Sequence, residues 1–191
     1  GSAPDGNNLT LQVLLPVEGG TKATEDGEKA LNENKISTLD VFIYKEGEDA
    51  CAHYQRIVPV DGMTRYGISK NRSAFAENTG YSVYVVANAG TAAAGAMSLA
   101  ELKAAVVAQA LNPDAVQTDL LMDGKSIATV LNDGTKANKN IDVSLKRGVA
   151  KIRVNLSYGA DYQPAGQVTQ KLVNYASDAR VLETGDVHMP A

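Results

Sequence analysis

The side chains that could do chemistry are few, and they are scattered along the chain. Cys51 and His53 stand two apart in a stretch that reads as a strand, Cys51 to Val60. That spacing predicts one shared strand face, where a thiolate–imidazole pair could form. A nucleophilic pair also needs a third group to orient it. None is indicated, so a half-buried strand face with an unreactive thiol is the plainer reading. The only other histidine, His188, lies in the tail. Asn132, Asp133 and Asn138 could hold calcium only loosely, because calcium-loop spacing is absent. A transition-metal centre needs several converging nitrogen, oxygen or sulfur ligands, and no segment offers them. Glu46, Glu48 and Asp49 crowd one turn and read as a solvated acidic tip. Lys146, Arg147, Lys151 and Arg153 could form an anion patch, although a solvated strand face fits them better. Tyr44, Tyr54, Tyr66 and Tyr84 are what a sugar-binding face could use, in a chain with no tryptophan and two phenylalanines.

One stretch imitates a nucleotide site. Tyr81 to Leu111 runs from a strand through Gly90-Thr91-Ala92-Ala93-Ala94-Gly95 into a helix. A phosphate loop requires a lysine and a hydroxyl directly after its second glycine. Ala96 and Met97 occupy those places, so the segment reads as a plain connection. No catalytic constellation and no cofactor site emerge.

The elements that must position these residues are mostly strands. Ile141 to Tyr158 is the most regular stretch, two strands joined at a basic corner. Ile141, Val143 and Leu145 alternate with polar residues, as do Ile152, Val154 and Leu156, which predicts one buried and one wet face for each. That regularity places the pair in the middle of a sheet. At the N-terminus, Leu9, Leu11, Val13 and Leu15 fall on one face of Leu9 to Val17. Ile36 to Lys45 is a strand with Leu39, Val41 and Ile43 inward, and Glu46 to Asp49 is its turn. Asp61-Gly62 signals a tight turn, after which Thr64 to Lys70 is expected to pair with the strand before it. Tyr81 to Asn88 is nearly continuously apolar, which predicts burial on both faces.

Ser98 to Leu111 is the one predicted helix. Ser98 and Glu101 have capping-box spacing, Leu99, Leu102, Val106 and Ala110 form the apolar stripe, and Asn112-Pro113 ends it. Ser126 to Leu131 and Val168 to Tyr175 complete the strands. Many short strands with one short helix indicate an all-β sandwich.

Composition narrows the function. The chain has 191 residues, 44% of them hydrophobic, enough to bury roughly 70% of the unfolded surface in one core. A net charge of −4 argues against nucleic acid, whose phosphates need a basic surface. No apolar run approaches the roughly 18 residues of a membrane span. A single cysteine excludes an internal disulfide. Gly1-Ser2 has the character of an expression remnant, which leaves room for a removed targeting segment. Glu18 to Asn34 is a polar connector with Gly19, Gly20 and Gly27, and long loops of this kind are commonly functional.

Several segments, taken in order, resemble the fimbrillins, the shaft, anchor and tip subunits of type V pili in Bacteroides-type bacteria. They are Lys35 to Lys45 (KISTLDVFIYK), Tyr81 to Gly90 (YSVYVVANAG), Ser98 to Leu102 (SLAEL), Leu120 to Gly124 (LLMDG), Leu145 to Leu156 (LKRGVAKIRVNL) and Leu172 to Tyr175 (LVNY). The resemblance implies a transthyretin-like or immunoglobulin-like Greek-key β-sandwich over residues 23–184. It also implies an N-terminal arm at 1–22 and a linker at 185–191 leading to a second sandwich outside this chain.

It further implies a lipoprotein exported to the outer-membrane surface, supporting adhesion and biofilm formation. A maturation protease would cut the loop after the first strand. Loss of that strand would open a groove that another pilus subunit fills with its own strand. The removable strand would be Leu9 to Val17. The family's cut follows arginine in a Thr-Arg-Ala context. Here the matching residues are Thr21-Lys22-Ala23, with lysine replacing arginine, so the candidate cut lies between Lys22 and Ala23. A lysine-accepting protease, or an uncut anchor-type or tip-type role, would both fit. A host or bacterial surface ligand is a further implied partner. The competing readings are a carbohydrate-binding or adhesin module of a surface lipoprotein and, more remotely, a fragment of an enzyme.

Overall fold

The computed structural model describes residues 6–16, 34–108, 119–148 and 178–182, with isolated positions between 157 and 169. The strands are β1 (Leu9–Leu14), β2 (Leu39–Lys45), β3 (Cys51–Ile57), β4 (Arg65–Ile68) and β5 (Gly80–Ala87). The helix α1 (Leu99–Ala104) and the strand β6 (Val106–Ala108) follow, then β7 (Met122–Val130), β8 (Lys139–Ser144), β9 (Lys146–Arg147) and β10 (Asp178–Arg180). Three layers result. A three-stranded sheet, β4-β1-β8, packs on a five-stranded sheet, β3-β2-β5-β7-β9. The helix and the β6–β10 ribbon contribute to a cluster on the other face of the larger sheet. This is the all-β sandwich with one short helix that the alternation predicts.

Two apolar clusters explain the layering. Between the sheets, Leu9, Leu11 and Val13 of β1 meet Val41 and Ile43 of β2, Val83 and Val85 of β5, and Ile141 and Val143 of β8. Behind the larger sheet, Phe42, Tyr84 and Val86 meet Leu102 of α1, Leu121, Val181 and Leu182. Strands β2 and β5 feed both clusters, so nearly every residue of each is buried. That is the two-sided burial expected of Tyr81 to Asn88. The β2–β3 hairpin closes on the acidic turn as predicted, with Gly47 at φ 78° supplying its left-handed position.

Two expectations need correction. Thr64 to Lys70 does not pair with the strand before it. The chain crosses between sheets at Asp61-Gly62, and β4 pairs antiparallel with β1, Leu11 opposite Tyr66. Apolar demand decides this: Tyr66 and Ile68 are buried beside Leu9 and Leu11 in the intersheet cluster. Second, the helix is shorter than Ser98 to Leu111. Its capping box forms, with Ser98 N–H donating to Glu101 Oε2 at 2.7 Å and Glu101 N–H to Ser98 Oγ at 3.1 Å. The backbone then turns extended at Ala105, and Val106 to Ala108 pair with β10 instead. β-Branched Val106 and Val107 favour that state, and strand pairing supplies the hydrogen bonds that further helix would have given. Within Ile141 to Tyr158, β8 pairs with β1 on one side. The strand with a partner on each side in the small sheet is β1. The expected strands at Ile152, Val154 and Leu156 and at Val168 to Tyr175 lie outside the described residues or nearly so, as does the 185–191 linker.

Candidate functional site, the first strand and its groove

The strand that the resemblance implies is removable, Leu9 to Val17, contains β1, which is fully integrated in the sheet. Leu9, Leu11 and Val13 are 1%, 0% and 1% exposed, whereas Leu14 at the end of the strand is 42% exposed. Leu15 lies just past the strand and packs partly buried against the same cluster. The strand therefore ends sooner than Val17, as expected where Pro16 removes a backbone donor.

β1 runs parallel to β8 from Leu9 opposite Lys139 to Leu14 opposite Ser144. It runs antiparallel to β4 from Leu9 opposite Ile68 to Gln12 opposite Arg65. Its flanks carry further bonds. Lys139 N–H donates to Asn8 O at 2.9 Å, Leu145 N–H to Leu14 O at 2.8 Å and Val13 N–H to Thr64 O at 2.8 Å. The entry to the strand is pinned as well, because Arg72 N–H donates to Asn7 O at 3.0 Å and Ser73 N–H to Asn7 Oδ1 at 2.9 Å. Every one of these partners is distant in sequence, so β1 is held entirely by long-range contacts.

The outward face of β1 carries Thr10 and Gln12 before ending on exposed Leu14. Gln12 sits between Arg65 on β4 and Asp142 on β8 in the paired registers. Arg65 Nε–H donates to Gln12 Oε1 at 2.5 Å, and Gln12 Nε2–H donates to Thr64 Oγ1 at 2.9 Å.

Beyond the connector, the chain is re-anchored by Asn88. Its φ of 64° sets the side chain in a left-handed corner after β5. Asn88 Nδ2–H donates to Lys35 O at 2.9 Å and Leu120 O at 2.8 Å. Its Oδ1 accepts from Ser37 N–H at 2.8 Å. One amide thus ties residues 35–37 to the sheet. No periodicity marks Asn88; the Asn88-Ala89-Gly90 corner after a strong strand is the only sequence hint. The candidate cut residues Lys22 and Ala23 lie outside the described residues.

The remaining candidates resolve into structural roles. A β-bulge in the β2–β3 pairing separates Cys51 from His53: Ile43 is opposite His53, while the adjacent Tyr44 is opposite Cys51. Adjacent strand residues point to opposite faces, so the two do not share a face as expected. Cys51 packs with the cluster behind the larger sheet. His53 instead approaches Gln55 Oε1 and Ser69 Oγ, each at 3.4 Å from Nε2. Burial pushes the Cys51 thiol up and holds the His53 imidazole below its ordinary value.

The loop that mimics a phosphate site donates no cradle. Gly90 O accepts from Arg56 Nη2–H at 2.6 Å, and Ala93 is buried. Asp133 accepts from Arg72 Nη2–H at 2.9 Å and from Thr135 Oγ1–H at 2.6 Å, while Asn138 Oδ1 accepts from Asn8 N–H at 3.1 Å. Asn132 bonds Phe75 O and Gly134 N–H. All three thus serve the β7–β8 loop, and Asp133 alone of them hydrogen-bonds to buried Arg72. Asp49 caps α1 by accepting from Ala100 N–H at 2.8 Å. Arg147 Nη2–H donates to Asn34 Oδ1 at 2.6 Å, whereas Lys151 and Arg153 lie outside the described residues.

The tyrosines do not make a sugar platform. Tyr44, Tyr66 and Tyr84 are 1%, 7% and 7% exposed. The Tyr54 ring lies 5.1 Å from that of Phe42, and its hydroxyl donates to Asp40 at 2.7 Å.

Comparison with known proteins agrees with the fold. A fimbrial assembly protein from Parabacteroides distasonis superposes with a TM-score of 0.61 at 18% identity, covering 96% of this chain and 72% of that one. A fimbrilin from Porphyromonas gingivalis gives a TM-score of 0.50 at 17% identity, covering 75% of this chain and 40% of that one. The chain thus spans less than half the length of that fimbrilin. No curated protein matches the sequence. The family described as major fimbrial subunit protein (FimA) matches residues 8–176. The match runs from the start of β1 through both sheets, and the chain belongs to the FimA major fimbrial subunit family.

Proposed function

We propose that this chain is a building block of a cell-surface fimbria, structural or adhesive, assembled by exchange of its first strand. A protease cuts the connector between Lys22 and Ala23, β1 leaves, and a strand from a neighbouring subunit replaces it. The precursor is a lipid-anchored protein of the outer membrane, and the assembled fimbria serves adhesion and biofilm formation.

The observation that carries this reading is the position of β1. It is the middle strand of a three-stranded sheet, yet the chain before it contributes no other element among those described. Withdrawing it leaves two open strand edges, β4 and β8, facing each other across an apolar floor. Open edges pair readily with another chain, and main-chain bonds with alternating side-chain pockets set strength and register. Each fully buried leucine or valine removed forfeits roughly 1.5–3 kcal/mol, which drives refilling. The Asn88 clasp supports the same reading, because it holds the chain downstream of the cut at residues 35–37.

The test is limited proteolysis of the full chain with a lysine-specific protease, followed by sizing and by binding of a peptide copied from residues 9–17. The expected result is a cut at Lys22, oligomers of the cut protein, and competition by the peptide. A folded chain that resists cutting at Lys22, or a cut chain that neither oligomerises nor takes up the peptide, overturns the reading.

A further inference from the structure

The outward row across the small sheet has a chemistry that the apolar floor does not explain. Resting on the strand-exchange reading, we infer that the groove selects its incoming strand by the side chain at the place of Gln12, and that this must be neutral and amide-like. The incoming strand is then an apolar–polar alternation with three buried positions, those of Leu9, Leu11 and Val13. Between the second and third stands one outward residue able both to accept and to donate.

The argument is geometric. Gln12 is paired with Arg65 on one flank and Asp142 on the other. Side chains directly opposite on paired strands share a face and lie about 5 Å apart. The position is therefore flanked by a cation and an anion. A lysine there gains Asp142 but meets Arg65, the flank whose side chain already reaches the Gln12 position, and a glutamate gains Arg65 but meets Asp142. The amide alone satisfies its neighbours without charge: its oxygen accepts from Arg65 Nε–H at 2.5 Å and its nitrogen donates to Thr64 Oγ1 at 2.9 Å. The three apolar sockets accept many hydrophobic strands, since cores tolerate hydrophobic exchange of similar volume. Discrimination among subunits thus falls to the row that reads charge, where like-charge contact rejects a wrong partner.

The row also fixes register. A strand shifted by two residues keeps its apolar residues inward but brings a different outward residue to Arg65 and Asp142. In this chain a shift of two places Thr10 or the apolar Leu14 there; leucine can take neither bond, and threonine has only one short hydroxyl where Gln12 uses two separate atoms.

The experiment uses the lysine-cut protein and three peptides copied from residues 9–17, carrying Gln12, Gln12→Lys or Gln12→Glu. Each is measured against the parent, Arg65→Glu and Asp142→Asn. In the parent the Lys peptide should bind roughly fivefold to tenfold more weakly than the Gln peptide, and the Glu peptide no more tightly than Gln. Arg65→Glu should reverse the order of Lys and Gln, and Asp142→Asn should make Glu the tightest. Equal binding of all three peptides to all three proteins overturns the inference while leaving strand exchange standing. Failure of even the Gln peptide to bind overturns both. In the uncut chain, Gln12→Lys and Arg65→Glu should each lower the melting temperature more than the pair does together. Additive losses there would remove the physical basis of the row.

Discussion

Asp40 and Arg56 face each other across β2 and β3, with Asp40 Oδ1 2.8 Å from Arg56 Nε and Oδ2 3.0 Å from Nη2. The Asp40 side chain is wholly buried and that of Arg56 is 38% exposed. Tyr54 Oη–H completes the set at 2.7 Å. A buried carboxylate is tolerable only when its oxygens are this well satisfied. The bond to Asp40 in turn raises the Arg56 guanidinium above its ordinary value.

Removing the arginine should therefore cost more than losing a surface ion pair. We expect Arg56→Met to destabilise by about 2–3 kcal/mol, below the full range for a buried pair because Arg56 is partly solvated. Asp40→Asn should cost less, since no charge is stranded inside. Urea unfolding of the two variants checks the order; a larger loss for Asp40→Asn would contradict it.

Burial along β1 predicts a sharp contrast between neighbouring leucines. Leu11→Ala should destabilise by about 2–5 kcal/mol, because Leu11 is fully buried between the sheets. Leu14→Ala should stay within about 0.5 kcal/mol of the parent. Thermal melts of both variants read this directly, and equal effects would place β1 elsewhere.

Cys51 should behave as a structural thiol. Its Sγ lies 3.2 Å from His53 O, and desolvation raises its pKa. Labelling by a thiol reagent in the folded protein should be slower than in urea at every pH from 6 to 8, with no acceleration near pH 6. Fast labelling at pH 6 would reveal a thiolate that this environment disfavours.

Asp133 gives an acid-stability signature. Its hydrogen bonds from Thr135, then the nearby Arg72, lower its pKa from 3.8 to about 2. A carboxylate with a depressed folded pKa contributes stability at neutral pH, and that contribution is lost as pH falls from about 4 to 2. Asp133→Asn should therefore melt below the parent at pH 7, with the gap narrowing over that window. A gap constant from pH 7 to pH 2 would show that Asp133 does not titrate in this way.

Local structure was legible in the residues themselves. Alternation in Leu9-Thr10-Leu11-Gln12-Val13 states which side of a strand is apolar, and that side is buried in the structure. The unbroken apolar run in β5 required cover on both faces, and it has two clusters. Ser98 and Glu101 specified a helix start, and Gly47 a turn, because caps and tight turns depend on residues a few positions apart.

Tertiary structure alone decided which strands meet. β4 follows β3 closely yet pairs with β1, since Tyr66 and Ile68 bury more beside Leu9 and Leu11 than a hairpin would allow. A single bulge opposite Ile43 and Tyr44 sent Cys51 and His53 to opposite faces, and period-two reading has no signal for an inserted residue. Val106 and Val107 left the helix because β10, far along the chain, offered them a partner. Asp40 and Arg72 became buried anchors, and Asn88 a half-buried one, although nothing in their spacing distinguishes them from surface residues. Their burial is repaid only by partners from remote segments, and those partners are brought together by the closing of the whole core.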